Sequence, residues 1–96
     1  MTIRFHSEAR KEFFETSEYY EEQVMGLGDD FINEVEKVLD VILQQPDSGS
    51  KMTNSERRFL LSRFPYGIIY SAEADQIIIF AVMNLKRKPG YWESRV

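Results

Sequence analysis

Several common features are missing from this 96-residue sequence, and each absence excludes a class of protein. The chain has no cysteine, so it can form neither a disulfide framework nor a thiolate metal site. Its longest apolar run, at 77–83, is far shorter than the roughly 20 residues of a membrane-spanning helix. The first residues lack a basic segment followed by an apolar run, so we expect no signal peptide, no membrane partner and a cytoplasmic location.

Motifs for bound groups are missing as well. The sequence contains no glycine-rich phosphate loop, no serine nucleophile elbow and no metal-binding motif, so we expect neither cofactor nor metal. The single histidine, His6, has no second histidine or triad member beside it, so we expect a capping or surface role.

Charge is divided unevenly between the two halves of the chain. Residues 1–50 contain twelve acidic and four basic residues, whereas residues 51–96 contain four acidic and eight basic ones. The halves therefore present different surfaces. The net charge of −4 argues against a general nucleic-acid-binding protein, which is usually basic.

Two amphipathic helices are predicted in the first half, where apolar residues recur at helical spacing: Ala9, Phe13, Tyr20 and Val24, then Phe31, Val35, Val38 and Ile42. Ser7 is suited to cap the first helix, and Gly26 can adopt the left-handed conformation that ends it. The second helix ends before Pro46. The many glutamates of the first helix lie mostly off its apolar face, as is typical of a solvated surface.

Four strands are predicted around and after the helices, at 2–5, 58–64, 67–73 and 77–83, with a loop at 46–56. The resulting order βααβββ predicts an α+β fold. A small, mainly antiparallel sheet would pack one face against the N-terminal helix hairpin, with the first strand at an edge. We expect a single domain over 1–96.

Cationic residues flank the strand-rich part of the chain: Arg57, Arg58 and Arg63 at its start, and Lys86, Arg87 and Lys88 at its end. Arg63 is predicted to end one strand and Arg87 to follow another, so their guanidinium groups would converge if those strands are neighbours. Two such planar groups can hold a phosphate. The alternative is that each arginine covers the edge of the core or pairs with an acid such as Glu56 or Asp75.

Two aromatic residues follow Pro89 and Gly90. Tyr91 could transfer a proton beside the arginines if its pKa were lowered from about 10. The alternative is that Tyr91 and Trp92 pack against the sheet and anchor the tail.

Several segments, spread over the whole chain, carry a family likeness: Tyr19-Tyr20-Glu21, residues 26–31, residues 57–66, Ala81-Val82 and residues 86–92. With the βααβββ order, they make the chain resemble the RelE/ParE toxin superfamily of bacterial type II toxin–antitoxin systems. The resemblance is greatest to the ParE-like plasmid stabilisation toxins.

The resemblance implies one of two activities. A RelE-like toxin would cleave mRNA on the ribosome without metal, with Arg63 and Arg87 on the phosphate and Tyr91 near them. A ParE-like toxin would instead poison DNA gyrase by protein contact. Asn84 stands where relatives often carry histidine, Lys51 is the only lysine in the loop before the second strand, and the pI is acidic. These departures favour the ParE-like activity, or a toxin-fold protein that has lost its activity.

The resemblance also implies a cognate antitoxin, bound to the toxin in a hetero-oligomer. We expect the antitoxin to lay an extended or helical segment across the sheet and helices, where an open strand edge accepts added pairing. The expected contacts are the cationic and aromatic residues of the second half: Arg57, Arg58, Lys86, Lys88 and Trp92.

Overall fold

The computed structural model describes all 96 residues of the chain. Its elements are β1 (Thr2–Phe5), α1 (Ser7–Gln23), α2 (Leu27–Gln44), β2 (Ser50–Lys51), β3 (Glu56–Leu60), β4 (Tyr66–Glu73), β5 (Gln76–Asn84) and a 3₁₀ turn (Glu93–Arg95). The strands form one sheet in the order β1-β5-β4-β3-β2. β1 runs parallel to β5, and the other pairs are antiparallel. The α+β class and the edge position of the first strand are confirmed.

The two helices pack on one face of the sheet. The predicted stripe of α2 is buried, and α1 contributes the buried Ala9 and the partly buried Phe13 and Tyr20. These side chains meet residues of β4 and β5 in one cluster, whose sheet members include Ile68, Tyr70, Ile77 and Ile79. Burial of apolar surface between the two layers therefore supplies the main core. Neither helix combines the length and hydropathy that crossing a membrane requires.

The ends of α1 differ from the prediction. His6, rather than Ser7, precedes the first turn, and its Nδ1 accepts a hydrogen bond from the amide of Glu8 at 3.1 Å. The helix ends at Gln23, so Val24 adopts an extended conformation and lies 59% exposed. The prediction that Val24 belongs to the apolar stripe was therefore wrong.

The turn between the helices depends on two glycines and one carboxylate. Gly26 adopts the predicted left-handed conformation, with φ of 87°, but it precedes α2 rather than ending α1, which already stops at Gln23. The carboxylate of Glu21 accepts hydrogen bonds from the amides of Gly26 and Gly28, at 2.9 and 3.0 Å. A Cβ atom on Gly28 would lie 2.6 Å from the carbonyl oxygen of Ser17, so the two helices approach too closely there for any side chain.

The sheet differs from the prediction near its second edge. Part of the expected loop forms the short strand β2, which pairs with Arg57 and Arg58 of β3. β3 itself ends at Leu60 rather than at Phe64. The chain leaves the sheet there because Leu60 pairs with Gly67, so the residues between them must form the turn that leads into β4. The carboxylate of Glu34 on α2 accepts hydrogen bonds from the amides of Ser62 and Arg63 in this turn.

The opposite face of the sheet carries a second, smaller cluster. Trp92, which is only 2% exposed, packs there against residues of β4 and β5: Ile69, Ile78, Phe80, Ala81 and Met83. The strand pairing shifts register between Ile69 and Tyr70, so that Phe80 has no partner in β4. The tail after β5 thus covers the face that the helices leave open, and the prediction that Trp92 anchors it is confirmed.

Candidate functional site

The structure does not bring Arg63 and Arg87 together. Arg63 lines a polar cleft of about 230 Å³ with residues of α2, whereas Arg87 lines a cleft of about 250 Å³ beside α1. The two clefts share no residue. The predicted convergence failed because Arg63 lies in a loop that turns towards α2, rather than at the end of a strand.

Arg63 lies in the loop after β3, and its side chain contacts the surface of α2. Its guanidinium is 3.5 Å from the carboxylate of Asp30, and both side chains are well exposed. The guanidinium also lies 5.6 Å from the centre of the Phe64 ring. An exposed ion pair of this kind contributes little to stability. This arrangement matches the alternative in which Arg63 covers the edge of the core and pairs with an acid.

Glu34 fixes the loop that carries Arg63. Partial burial disfavours its charged form, but hydrogen bonds from Ser62 and Arg63, together with the charge of Arg63, outweigh that effect and lower the pKa of Glu34. The carboxylate also accepts a bond from the Ser62 hydroxyl at 2.9 Å. Glu34 therefore stays ionised and holds the loop onto α2.

The second cleft, here called the tail cleft, lies between α1, β5 and the C-terminal tail. Its lining contains both acidic and aromatic residues: Glu12, Glu15, Thr16, Tyr19, Tyr66, Val82, Asn84, Arg87 and Tyr91. It therefore collects two of the three catalytic candidates, Arg87 and Tyr91, and leaves out Arg63.

Glu12 organises the floor of this cleft. One carboxylate oxygen accepts hydrogen bonds from the Val82 amide and an Arg95 nitrogen, both at 3.0 Å. The other accepts bonds from the Tyr91 phenol at 2.8 Å and the second Arg95 nitrogen at 2.9 Å. The side chains of Glu12 and Arg95 are only 17% and 12% exposed. A shielded, two-bonded ion pair of this kind is among the stronger polar contacts in proteins.

Sequence reasoning missed both members of this pair. Glu12 is one of several glutamates on α1, and the pattern indicated that such residues are solvated. Arg95 follows Trp92 by three positions and had no predicted role. Their contact spans 83 positions, and no local pattern carries information over that distance.

Tyr91 is unsuited to the proton transfer proposed from the sequence. Burial raises the pKa of its phenol, and the hydrogen bond to Glu12 and the charge of that carboxylate raise the pKa further. The phenol therefore remains protonated near neutral pH and donates a hydrogen bond to Glu12. Tyr91 attaches the tail to α1, which is the alternative role that the sequence left open.

Arg87 and Asn84 complete the cleft. The guanidinium of Arg87 lies 4.0 Å from the centre of the Tyr91 ring, within the range of a cation–π contact. Asn84 donates to the Tyr66 hydroxyl at 3.3 Å and accepts from the Lys86 amide at 2.9 Å. Both polar ends of its amide are thus used within the chain.

The five predicted partner contacts fall into two groups. Lys86 and Lys88 are exposed on the turn after β5. Trp92 is buried, and Arg57 donates to the carbonyl oxygens of residues 47 and 49 at 3.1 and 2.8 Å. The aliphatic part of Arg58 lies over Gly67, whose missing side chain leaves room for it. The first group is open to a partner, while the second stabilises the fold.

Comparison with known proteins identifies the family. A family model described as the ParE toxin of type II toxin–antitoxin system, parDE, matches residues 3–89. A solved structure, described as the chromosomal ParDE TA system from P. aeruginosa, has a chain that matches with a TM-score of 0.72 and 13% identity. The match covers 88% of this chain and 95% of that chain, and it supports the fold. No curated protein matches the sequence. Because the family model spans nearly all of the sequence, this chain belongs to the ParE toxin family of type II toxin–antitoxin systems.

Proposed function

We propose that this toxin inhibits growth by poisoning DNA gyrase through direct protein contact, and that a cognate antitoxin neutralises it. Gyrase acts on chromosomal DNA, so the proposal also places the toxin in the cytoplasm. The observation that carries the choice of mechanism is the hydrogen bond from the Tyr91 phenol to Glu12. That bond and burial keep the phenol protonated, and Asn84 offers an amide where a histidine would supply an acid–base group. A mechanism without bond cleavage by the toxin fits this cleft best.

The alternative is a ribosome-dependent mRNA endoribonuclease that needs no metal. It requires Arg63, Arg87 and Tyr91 around one phosphate, but Arg63 lines a different cleft from the other two. The acidic residues of α1 would also repel an RNA backbone that enters beside them. The arrangement of charged groups therefore favours the gyrase proposal over the ribonuclease one.

A supercoiling assay tests the proposed target. Purified toxin should inhibit supercoiling by gyrase and trap the enzyme on cleaved DNA. Toxin that has first been mixed with the antitoxin should have neither effect. A heat-denatured sample of the same toxin serves as the control. If supercoiling proceeds normally and no cleaved complex accumulates, gyrase is not the target.

Expression in cells tests the alternative. Under the gyrase proposal, transcripts remain intact while growth stops. Toxin-dependent mRNA cuts that disappear in Arg63→Ala and in Arg87→Ala would instead support the ribonuclease. Normal growth with intact transcripts would indicate a toxin-fold protein that retains only its antitoxin partner.

The antitoxin has an accessible edge to bind. β2 covers β3 only at Arg57 and Arg58, which leaves the strand end at Leu60 uncovered and 49% exposed. A cleft of about 180 Å³ lies beside this edge and is lined partly by Val38, Val41 and Phe59. We infer that an extended antitoxin segment pairs with this edge and places apolar side chains in the cleft.

Salt dependence tests this contact. Because apolar burial should dominate the affinity, raising the salt concentration from 0.1 to 0.5 M, on the order of a fivefold change in ionic strength, should weaken the complex only partly. Complete dissociation over that range, measured by biolayer interferometry, would contradict the inference.

A further inference from the structure

We propose that Arg87 accepts one carboxylate side chain of the antitoxin, and that Glu12 and Arg95 are positioning residues that hold Arg87 ready for it. The inference rests on the proposed toxin–antitoxin function and adds to it the chemistry of a single contact. The ligand is an aspartate or glutamate of the partner chain, seated in the tail cleft.

Arg87 is an arginine whose charge is not satisfied within the chain. Arg57, Arg63 and Arg95 each lie within ion-pair distance of an acid, at 3.6, 3.5 and 2.9 Å. Arg87 forms no ion pair, as is also true of Arg4, Arg10 and Arg58, but it is the one of these four that lines the tail cleft. The conformational freedom of its side chain is nevertheless restricted, because its guanidinium lies over the Tyr91 ring. Its side chain is exposed, so a partner can reach it. A planar guanidinium fixed at one face is well suited to bind a carboxylate through two parallel hydrogen bonds.

The Tyr91 ring that contacts Arg87 is itself held in place by Glu12 and Arg95. Tyr91 cannot rotate freely while its phenol donates to Glu12, and the Arg95 guanidinium lies 5.0 Å from the centre of the same ring. Glu12 pairs with Arg95, so the charge of Arg95 is compensated while that of Arg87 is not. The network therefore holds the Arg87 guanidinium, which lies between the exposed Lys86 and Lys88 in sequence, at a defined place over an aromatic ring.

The surroundings select a single carboxylate rather than a polyanion. Residues 12–36 contain nine acidic residues and no lysine or arginine, and Glu15 lies on the wall of the cleft. A nucleic-acid backbone would bring a row of phosphates past the acidic residues of both helices and would be repelled. A single carboxylate meets less of that repulsion than a row of phosphates does, and the rings of Tyr19 and Tyr66 provide partly apolar walls for its stem.

Substitution of Arg87 tests the contact. Arg87→Gln should weaken the complex with the co-expressed antitoxin about tenfold to a hundredfold, mainly through faster dissociation. Arg87→Lys should restore only part of the affinity, because lysine keeps the charge but loses the planar pair of donors. Arg4→Gln removes the same charge from an exposed site on β1, which pairs with the start of β5 at Ile78 rather than with the end that leads to Arg87, and should leave the affinity unchanged.

The antitoxin carboxylate that contacts Arg87 is identified with the same measurement of toxin–antitoxin affinity. Each aspartate and glutamate of the antitoxin is replaced by its amide, and one replacement should lose affinity with wild-type toxin but not with Arg87→Gln. Such non-additivity identifies a direct contact. If every replacement is additive with Arg87→Gln, the proposed contact does not exist.

The positioning role has its own spectroscopic signature. The Tyr91 ring should shift the Arg87 side-chain NMR resonances upfield, and that shift should collapse in Glu12→Gln and Arg95→Met. The backbone spectrum of each variant shows whether the fold persists, and Arg95→Lys should recover part of the shift. A folded Arg95→Met variant with an unchanged Arg87 shift would overturn the positioning role.

The outcomes separate this inference from the function on which it rests. If wild-type toxin forms no complex with the antitoxin, the proposed function fails and this inference falls with it. If the complex forms and Arg87→Gln binds equally well, only this inference fails. If a short RNA oligonucleotide perturbs the Arg87 resonances and the antitoxin does not, the site belongs to nucleic acid and the inference is wrong.

Discussion

Glu12 in α1 and Arg95 in the final turn form an ion pair with two hydrogen bonds, at 3.0 and 2.9 Å, across 83 positions of the chain. The same carboxylate binds the Tyr91 phenol and the Val82 amide. One side chain thus joins the first helix, the last strand and the tail.

Removing one member of this pair should destabilise the protein. Glu12→Gln leaves Arg95 shielded without a counter-charge, so we expect a loss of about 3 kcal/mol in the free energy of unfolding, measured by urea denaturation. Glu15→Gln, on the exposed surface of the same helix, is the control and should change the stability by less than about 0.5 kcal/mol. If Glu12→Gln lowers the stability as little as the control does, the ion pair contributes nothing measurable to the free energy of unfolding.

The contact between the helices at Gly28 should tolerate no side chain. Gly28→Ala places a methyl group 2.6 Å from the Ser17 carbonyl oxygen, so we expect at least about 2 kcal/mol of destabilisation. Gly26→Asn is the matched control, because the site is open and asparagine tolerates a left-handed conformation. Thermal unfolding of the two variants measures the difference, and similar melting temperatures would argue against the close approach.

Trp92 should report on the docking of the tail. Trp92→Ala empties a site in the second cluster and should cost about 3 kcal/mol or more. Trp92→Phe should cost much less, because the indole nitrogen that it removes has no hydrogen-bond partner. Urea denaturation followed by circular dichroism compares them. Equal losses would contradict the expectation that an aromatic ring at this site preserves most of the packing.

Glu34 should make stability depend on pH at acidic values. Its pKa is lowered from 4.5 on folding, so its stabilising effect is complete above the unfolded pKa and disappears as the pH falls through the folded pKa. The stability difference between wild type and Glu34→Gln should therefore be largest near pH 6 and shrink below about pH 4. A difference that stays constant from pH 6 to pH 3, followed by urea denaturation, would contradict the role of the carboxylate.

Local signals predicted the elements of the fold well. The stripe from Phe31 to Ile42 identified the buried face of α2, and Gly26 marked the turn between the helices. Strand limits were less accurate at β3, because the pairing of Leu60 with Gly67 makes the following residues the hairpin turn, and apolar residues of that turn resemble a strand in sequence. The short strand β2 was missed, since its two residues, Ser50 and Lys51, carry no apolar alternation.

The sequence by itself determined the layer architecture, the family and the cationic character of the second half. The architecture and the charge depend on apolar periodicity and composition, which are written locally along the chain, and the family was indicated by the resemblance of several segments to known toxins. Only the tertiary structure decided that Arg63 and Arg87 occupy separate clefts, that Tyr91 donates to a carboxylate, and that Arg95 pairs with Glu12. Such contacts depend on how distant segments pack against one another, and a side chain's partner across 83 positions is set by that packing rather than by its neighbours in sequence.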